Sequence, residues 1–322
     1  MCVQRLRHLT MMIALVCAVG CAPRDSDHTI SAIPENVAQE GFLTERTGML
    51  DAANPLGLVI AWNGPDAANP QRQIALIVQA TQERRYGIIV TPAGGAAIDT
   101  AVENALERDV PVVLTRDATS LHAQPHLSFV LEDYNAGARL VTTRLRNMVR
   151  RKGTVMILGV DNYSQNSVRR LDAVEAALRR DCPWLRVAPP IEAPYGSGYV
   201  QIEAQHAMER YPDLMSFIAL NAQAGLGAEA AIEGSRLQYR VAVISFDASF
   251  PMLLRLRLGY VDAIVAQDMR GMGERAVANI VADREGKPYT HSVILAPMLI
   301  TKENIDLETT QQWLQFNEDQ PS

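Results

Sequence analysis

Cysteine is nearly missing from this chain. Four of its 322 residues are cysteine, and Cys2, Cys17 and Cys21 all fall at its very start. Only Cys182 lies in the body, so neither an intramolecular disulfide nor a cysteine-based metal site is expected there. Lysine is scarce as well: Lys152, Lys287 and Lys302 stand among 30 basic residues, and arginine supplies the rest. Those 30 are outnumbered by 36 acids, for a formal net charge of -6. Phosphate backbones demand a positive surface, so nucleic acid is not expected as a partner. Past the first twenty residues no run approaches the ~18 apolar residues of a membrane span. The sequence also lacks H-E-x-x-H, G-x-S-x-G, a Walker loop and G-x-G-x-x-G. His122 and His126 lie four apart, but Pro125 breaks any helix that would align them. No enzyme class, cofactor or metal is therefore implied.

What is present reads as a globular body behind a leader. The chain is 48% hydrophobic and 20% charged, outside the disordered range, and longer than one core usually fills. Arg5 and Arg7 precede an apolar stretch over 11–19, which ends in A-V-G-C at 18–21. This pattern is that of a secretory leader with a lipobox-like end, so residues 1–21 are expected to be a lipoprotein signal. Cys21 would then be the lipid-modified N-terminus, followed by a linker over 22–28. An ordinary secretory signal is the alternative. Removing the segment takes away two arginines and no acid, leaving the remainder more acidic still.

From residue 29 onward, short β-branched runs alternate with amphipathic stretches. Strands are expected at 29–33, 57–62, 87–91, 110–115, 127–131, 153–158, 186–188, 216–220, 240–246, 262–266 and 292–297. Strands separated by single helices need crossover connections, which give parallel sheets covered on both faces. Eleven strands exceed one comfortable open sheet, so the expected fold class is α/β, with two Rossmann-like lobes of mostly parallel sheet.

Ligands of such sheets bind beyond the carboxyl ends of the strands. The residues found there are Glu35, Asn36, Gln39 and Phe42; Asn63 and Asp66; Arg116 and Asp117; Glu132 and Asp133; Asn221; Asp247; Gln267 and Asp268. Planar amides, carboxylates and a guanidinium recur without a nucleophile–base pair. Such groups suit a polyol, whose hydroxyls both donate and accept. The inventory is one of binding, not catalysis. The basic run Arg144, Arg146, Arg150, Arg151 and Lys152 reads as a solvated helix face, and Y-G-S-G-Y over 195–199 as a loop.

Several segments carry a family resemblance. They are Y-G-I-I-V-T-P-A (86–93), V-P-V-V-L-T-R-D-A (110–118), E-D-Y-N-A-G-A-R-L (132–140), R-R-L-D-A-V-E-A-A-L (169–178), Y-P-D-L-M-S-F-I-A-L-N (211–221), V-I-S-F-D-A-S (243–249), D-A-I-V-A-Q-D (262–268) and L-I-T-K-E-N-I-D (299–306). In that order they resemble the type I periplasmic binding proteins of sugar ABC importers, the ribose-binding-like family that shares its core with LacI-type repressors. The resemblance implies two lobes joined by three crossovers near 132–134, 267–269 and 290–292, closing on ligand by hinge motion. The first lobe would comprise 29–132 plus 268–290, the second 133–267 plus 291–306, and 307–322 would be a tail.

The same resemblance implies ligand contacts from Asn221, Asp247 and Gln267. The family's Asp–Arg pair maps onto Arg116 and Asp117 in reversed order, which leaves open which of them faces inward. Arg169 or Arg170 would be the arginine at the start of the following helix, one of them structural. The first loop departs from the family: E-N-V-A-Q-E-G-F offers Phe42 as its one ring for stacking on a sugar. The implied function is an extracytoplasmic, lipid-anchored solute-binding protein that delivers a sugar or similar polar ligand to an ABC permease. A sensor presenting ligand to a membrane receptor or kinase is the runner-up. The effector core of a DNA-binding regulator ranks last, because a leader stands where its helix-turn-helix belongs.

Overall fold

Apolar runs such as Gly87–Val90 and Gly153–Val160 are buried along their whole length, because helices cover both faces of the sheets they enter. A computed structural model describes residues 28–314, apart from 38–39, 118, 163, 194–195 and 236–240. The expected leader over 1–21 with Cys21, the expected linker up to 27, and residues beyond 314 lie outside the described residues.

The order of elements is β1 (Thr29–Ile33), α1 (Glu40–Ala53), β2 (Val59–Trp62), α2 (Pro70–Gln82), β3 (Gly87–Val90), α3 (Asp99–Leu106), β4 (Val112–Arg116) and β5 (Leu127–Glu132). Next come α4 (Tyr134–Met148), β6 (Gly153–Val160), α5 (Gln165–Asp181), β7 (Leu185–Val187), β8 (Ile191–Glu192), α6 (Ser197–Arg210), β9 (Leu214–Ala219), α7 (Ala222–Ser235), β10 (Ala242–Phe246), α8 (Phe250–Leu258) and β11 (Ala263–Ala266). The chain ends with α9 (Met269–Arg284), β12 (Ser292–Leu295), β13 (Met298–Ile300) and α10 (Glu308–Leu314).

These elements form two sheets. The first runs β12-β5-β4-β3-β1-β2, with parallel pairing throughout. The second runs β13-β11-β10-β9-β6-β7, with β8 also on β6 and β13 antiparallel to β11. In the first lobe, α1 and α9 pack around Met49, Met272 and Ile280, while α2 and α3 cover the other face around Ile77 and Val102. In the second, α6, α7 and α8 enclose one core around Phe217 and Leu256, and α4 and α5 enclose another around Val174 and Phe246.

The chain passes between lobes at three places. Two are built alike: Asp133 after β5 and Asp268 after β11 each turn a strand into a helix. Their carboxylates accept from Ala136 N at 2.7 Å and Gly271 N at 3.0 Å. The third differs from the expectation of 290–292. Residues 292–295 pair with β5 and complete the first sheet, and the crossing comes afterwards, before β13 joins β11. Pro297 is the physical reason: it cannot donate to a ladder, so the apolar run over 292–300 splits into two strands instead of one.

Two smaller expectations also change. Residues 308–314 are a helix, not a tail, and bury Thr310 and Leu314. Of the Y-G-S-G-Y run, Ser197 onward opens α6 instead of continuing a loop.

Helices α1 and α9 lie unusually close. A Cβ on Gly48 would strike the Arg270 carbonyl, and one on Gly273 the Glu45 carbonyl. Only glycine permits that approach.

Candidate functional site

The strands β1, β2 and β4 of the first lobe and β6, β9 and β10 of the second end at a shared cleft. It encloses about 580 Å3, within the usual range for small-ligand sites. Glu35, Asn36, Asp66 and Arg116 line it from the first lobe; Asp161, Asn166, Arg170, Asn221 and Asp247 line it from the second. No aromatic ring lines it among the described residues.

Arg116 and Asp247 occupy matching places, at the ends of β4 and β10. Both have φ of +65°, a left-handed conformation that side chains rarely adopt. Each costs of order 1–2 kcal/mol, held by the packing around it. Arg116 is buried over the Phe42 ring, its guanidinium 4.7 Å from the ring centroid. Its Nε donates to Glu132 at 2.7 Å. The other oxygen of Glu132 accepts from Arg170 Nη2 at 3.0 Å.

Arg170, 2% exposed, is the hub of the second lobe's wall. It reaches both Asp247 oxygens, at 2.8 and 2.9 Å, and donates to Leu220 O at 2.8 Å. Burial alone would raise the Glu132 pKa, but Arg170 and Arg116 hold it below the usual carboxylate range. Burial likewise opposes the charge on Arg170, and Asp247 and Glu132 reverse that effect, so it stays protonated. Asn166 Nδ2 adds bonds to Glu132 at 3.3 Å and to the Tyr134 hydroxyl at 3.1 Å.

Glu35 is different. Burial pushes its carboxyl up to about 7; Arg116 and a hydrogen bond from Ser164 oppose that, and Asp161 and Asp117 add repulsion. Glu45, on α1 behind Arg116, is also pushed up to about 7 by burial, against the pull of Arg116.

The residues singled out from sequence fall in three groups. Arg116, Asn221 and Asp247 line the cleft. Asn221 also caps α7, accepting from Ala224 N at 2.9 Å and donating to Gly159 O at 3.3 Å. Phe42 and Asp117 do not line it. Phe42 is 1% exposed and supports Arg116 from beneath, because it points from the first turn of α1 into the lobe. The left-handed turn at Arg116 sends the Arg116 guanidinium to the cleft and Asp117 aside, where it pairs with Arg169 at 2.9 Å. Gln267 lies behind the cleft, lining a recess of about 30 Å3 with Gly41, Asp247 and Trp313. Neither amide atom of Gln267 has a hydrogen-bond partner among the described residues.

Sequence reasoning missed Asp161, Ser164, Asn166 and Ser167, which line the cleft from the loop after β6 and the start of α5. The signal available was the D-N-Y-S-Q-N-S stretch, whose Ser164 caps α5 at the end of a strand.

The lobes touch around this cleft. Arg169 of the second lobe holds Asp117 of the first, and Phe250 N donates to Glu40 Oε1 at 3.0 Å. Such contacts break and form when two lobes hinge about their crossovers.

Residues 30–288 match the periplasmic binding protein domain, and the chain belongs to that family. Its fold is that of the type I members: two lobes of mostly parallel sheet with flanking helices. The family binds solutes, is not enzymatic, and works outside the cytoplasm. Solved structures share the fold at low identity. An ABC transporter solute-binding protein from Agrobacterium vitis, bound with α-D-tagatopyranose, is 19% identical, with a TM-score of 0.80 over 88% of this chain and 98% of that one. A carbohydrate transporter solute-binding protein from Agrobacterium radiobacter, in complex with D-arabinose, is 21% identical, with 0.81 over 89% and 98%. A glucose–galactose binding protein from Geobacillus stearothermophilus is 21% identical, with 0.77 over 87% and 99%.

Proposed function

We propose that this protein captures a sugar or similar small polar ligand between its lobes and delivers it to an ABC importer, tethered to a membrane through a lipid on Cys21. The observation that carries the reading is the polar cleft at the strand ends of both lobes. Its walls present Arg116, Asn166, Asn221 and Asp247 on rigid elements, without a nucleophile–base pair. Hydroxyls entering it meet acceptors and donors already held in place by neighbours, so little ordering is needed on binding. The bound structures of the Agrobacterium proteins, which hold tagatose and arabinose in the same fold, support a sugar. Closure would then hide the ligand and present the closed form to the permease.

The test is a thermal-shift screen of the purified chain against monosaccharides and sugar alcohols, since a ligand of the folded state alone raises the melting temperature. A hit weakened by both Asn221→Ala and Asp247→Asn is expected. Silence across the panel overturns sugar capture.

A further inference from the structure

The walls of the cleft carry more negative than positive charge. Among the described lining residues, Glu35, Glu40, Asp66, Asp161 and Asp247 bring five carboxylates against the guanidiniums of Arg116 and Arg170. Arg116 attracts Glu35, but both guanidiniums are already engaged by other carboxylates. Glu132 behind the wall pairs with both, and Asp247 takes Arg170 through its two oxygens. Two cations and two anions thus cancel within the network. Glu35, Glu40 and Asp66 of the first lobe make no salt bridge among the described residues. Glu35 has the more distant pull of Arg116 and a hydrogen bond from Ser164, Glu40 accepts from Phe250 N, and Asp161 of the second lobe adds repulsion to Glu35.

A neutral polyol can hydrogen-bond to those carboxylates but leaves their mutual repulsion untouched. Inside a cleft that excludes water on closure, that repulsion grows as the effective dielectric falls. A protonated amine removes it, and restores an ionised Glu35 at little cost. A bare metal ion does not fit the same role: no group of three or more His, Cys, Asp or Glu that could hold one exists among the described residues. The Gln267 amide, 7% exposed and without a hydrogen-bond partner among the described residues, lines a recess of about 30 Å3 that shares Gly41 and Asp247 with the cleft.

We propose that the ligand is an amino sugar in its ammonium form, with the cationic nitrogen against Glu35, Glu40 and Asp66 and the hydroxyls toward Asn221, Asp247 and Gln267. This rests on the capture reading above and names its ligand class.

Isothermal titration of the purified chain tests it. The panel is D-glucosamine, D-galactosamine and D-mannosamine, each beside its neutral parent and its N-acetyl form. At least one amine is expected to bind about tenfold or more tighter than both counterparts, with the preference shrinking as salt screens the charge. Glu35→Gln and Asp66→Asn should each weaken that amine at least about threefold more than they weaken the neutral parent. Asp66 is exposed at the lip, so its variant reports on charge without disturbing the fold. A neutral sugar that binds as tightly as its amine overturns the amine and leaves sugar capture standing. Failure of every sugar in this panel overturns the amine, and silence across the wider monosaccharide and sugar-alcohol screen as well overturns both.

Discussion

At the scale of single residues, the cleft is built from groups held away from their ordinary states. Arg116 and Asp247 sit in a left-handed backbone that glycine would adopt freely, and each side chain is paired with a charged partner. Glu45 is the sharpest case: 1% exposed, with its carboxyl pushed up to about 7. In the unfolded chain the same group ionises near 4.5, the ordinary value for a glutamate. Its folded form therefore contributes stability in full below that value, and loses it as pH rises through about 7. The penalty above that range is about 3 kcal/mol. Glu45→Gln should thus gain stability over the parent by roughly that amount between pH 4.5 and pH 8. Urea unfolding of both proteins at the two pH values checks it. A parent–variant difference that does not change with pH would mean that Glu45 titrates alike in the folded and unfolded chains.

At the scale of elements, the contact of α1 with α9 decides how the first lobe holds its part of the cleft. Helix α1 begins beside the cleft, at Glu40 and Gly41, and carries Phe42 under Arg116. Its separation from α9 is set by Gly48 and Gly273. Gly273→Ala should push the helices apart and destabilise by about 1–3 kcal/mol, several degrees in melting temperature. Calorimetry would show it; an unchanged transition would mean the helices have room to spare. Elements of this kind were the most legible part of the sequence. The alternation of β-branched runs with amphipathic stretches marked strands and helices, and strand ends pointed to Arg116, Asn221 and Asp247. The errors arose where one-dimensional spacing says nothing about direction. A φ of +65° at Arg116 turned Asp117 away from the cleft, and Phe42 faced inward because its helix packs on Arg116. Pro297 divided between two sheets a run that reads as continuous, and α10 docked through Leu314 on a core that its own short sequence does not announce.

At the scale of the whole molecule, the two lobes are separate cores that share three connections and a polar seam. The Arg169–Asp117 pair bridges that seam, with Arg169 partly exposed and Asp117 buried. Arg169→Ala should favour the open form and weaken ligand binding by less than about tenfold, the range of a half-exposed ion pair. Small-angle scattering of the ligand-free chain should show a larger radius of gyration for the variant. An unchanged radius would mean that the pair does not set the balance between open and closed. The third crossover carries a further consequence. The first sheet takes its edge strand β12 from residues 292–295, and one of its faces is covered by α9, from 269–284. A ribosome that has delivered β1 to β5 has therefore made most of a lobe that cannot yet close. The segments that begin the molecule must wait, with apolar faces bare, for almost the last ones to emerge, so the lobe written first is not the lobe finished first.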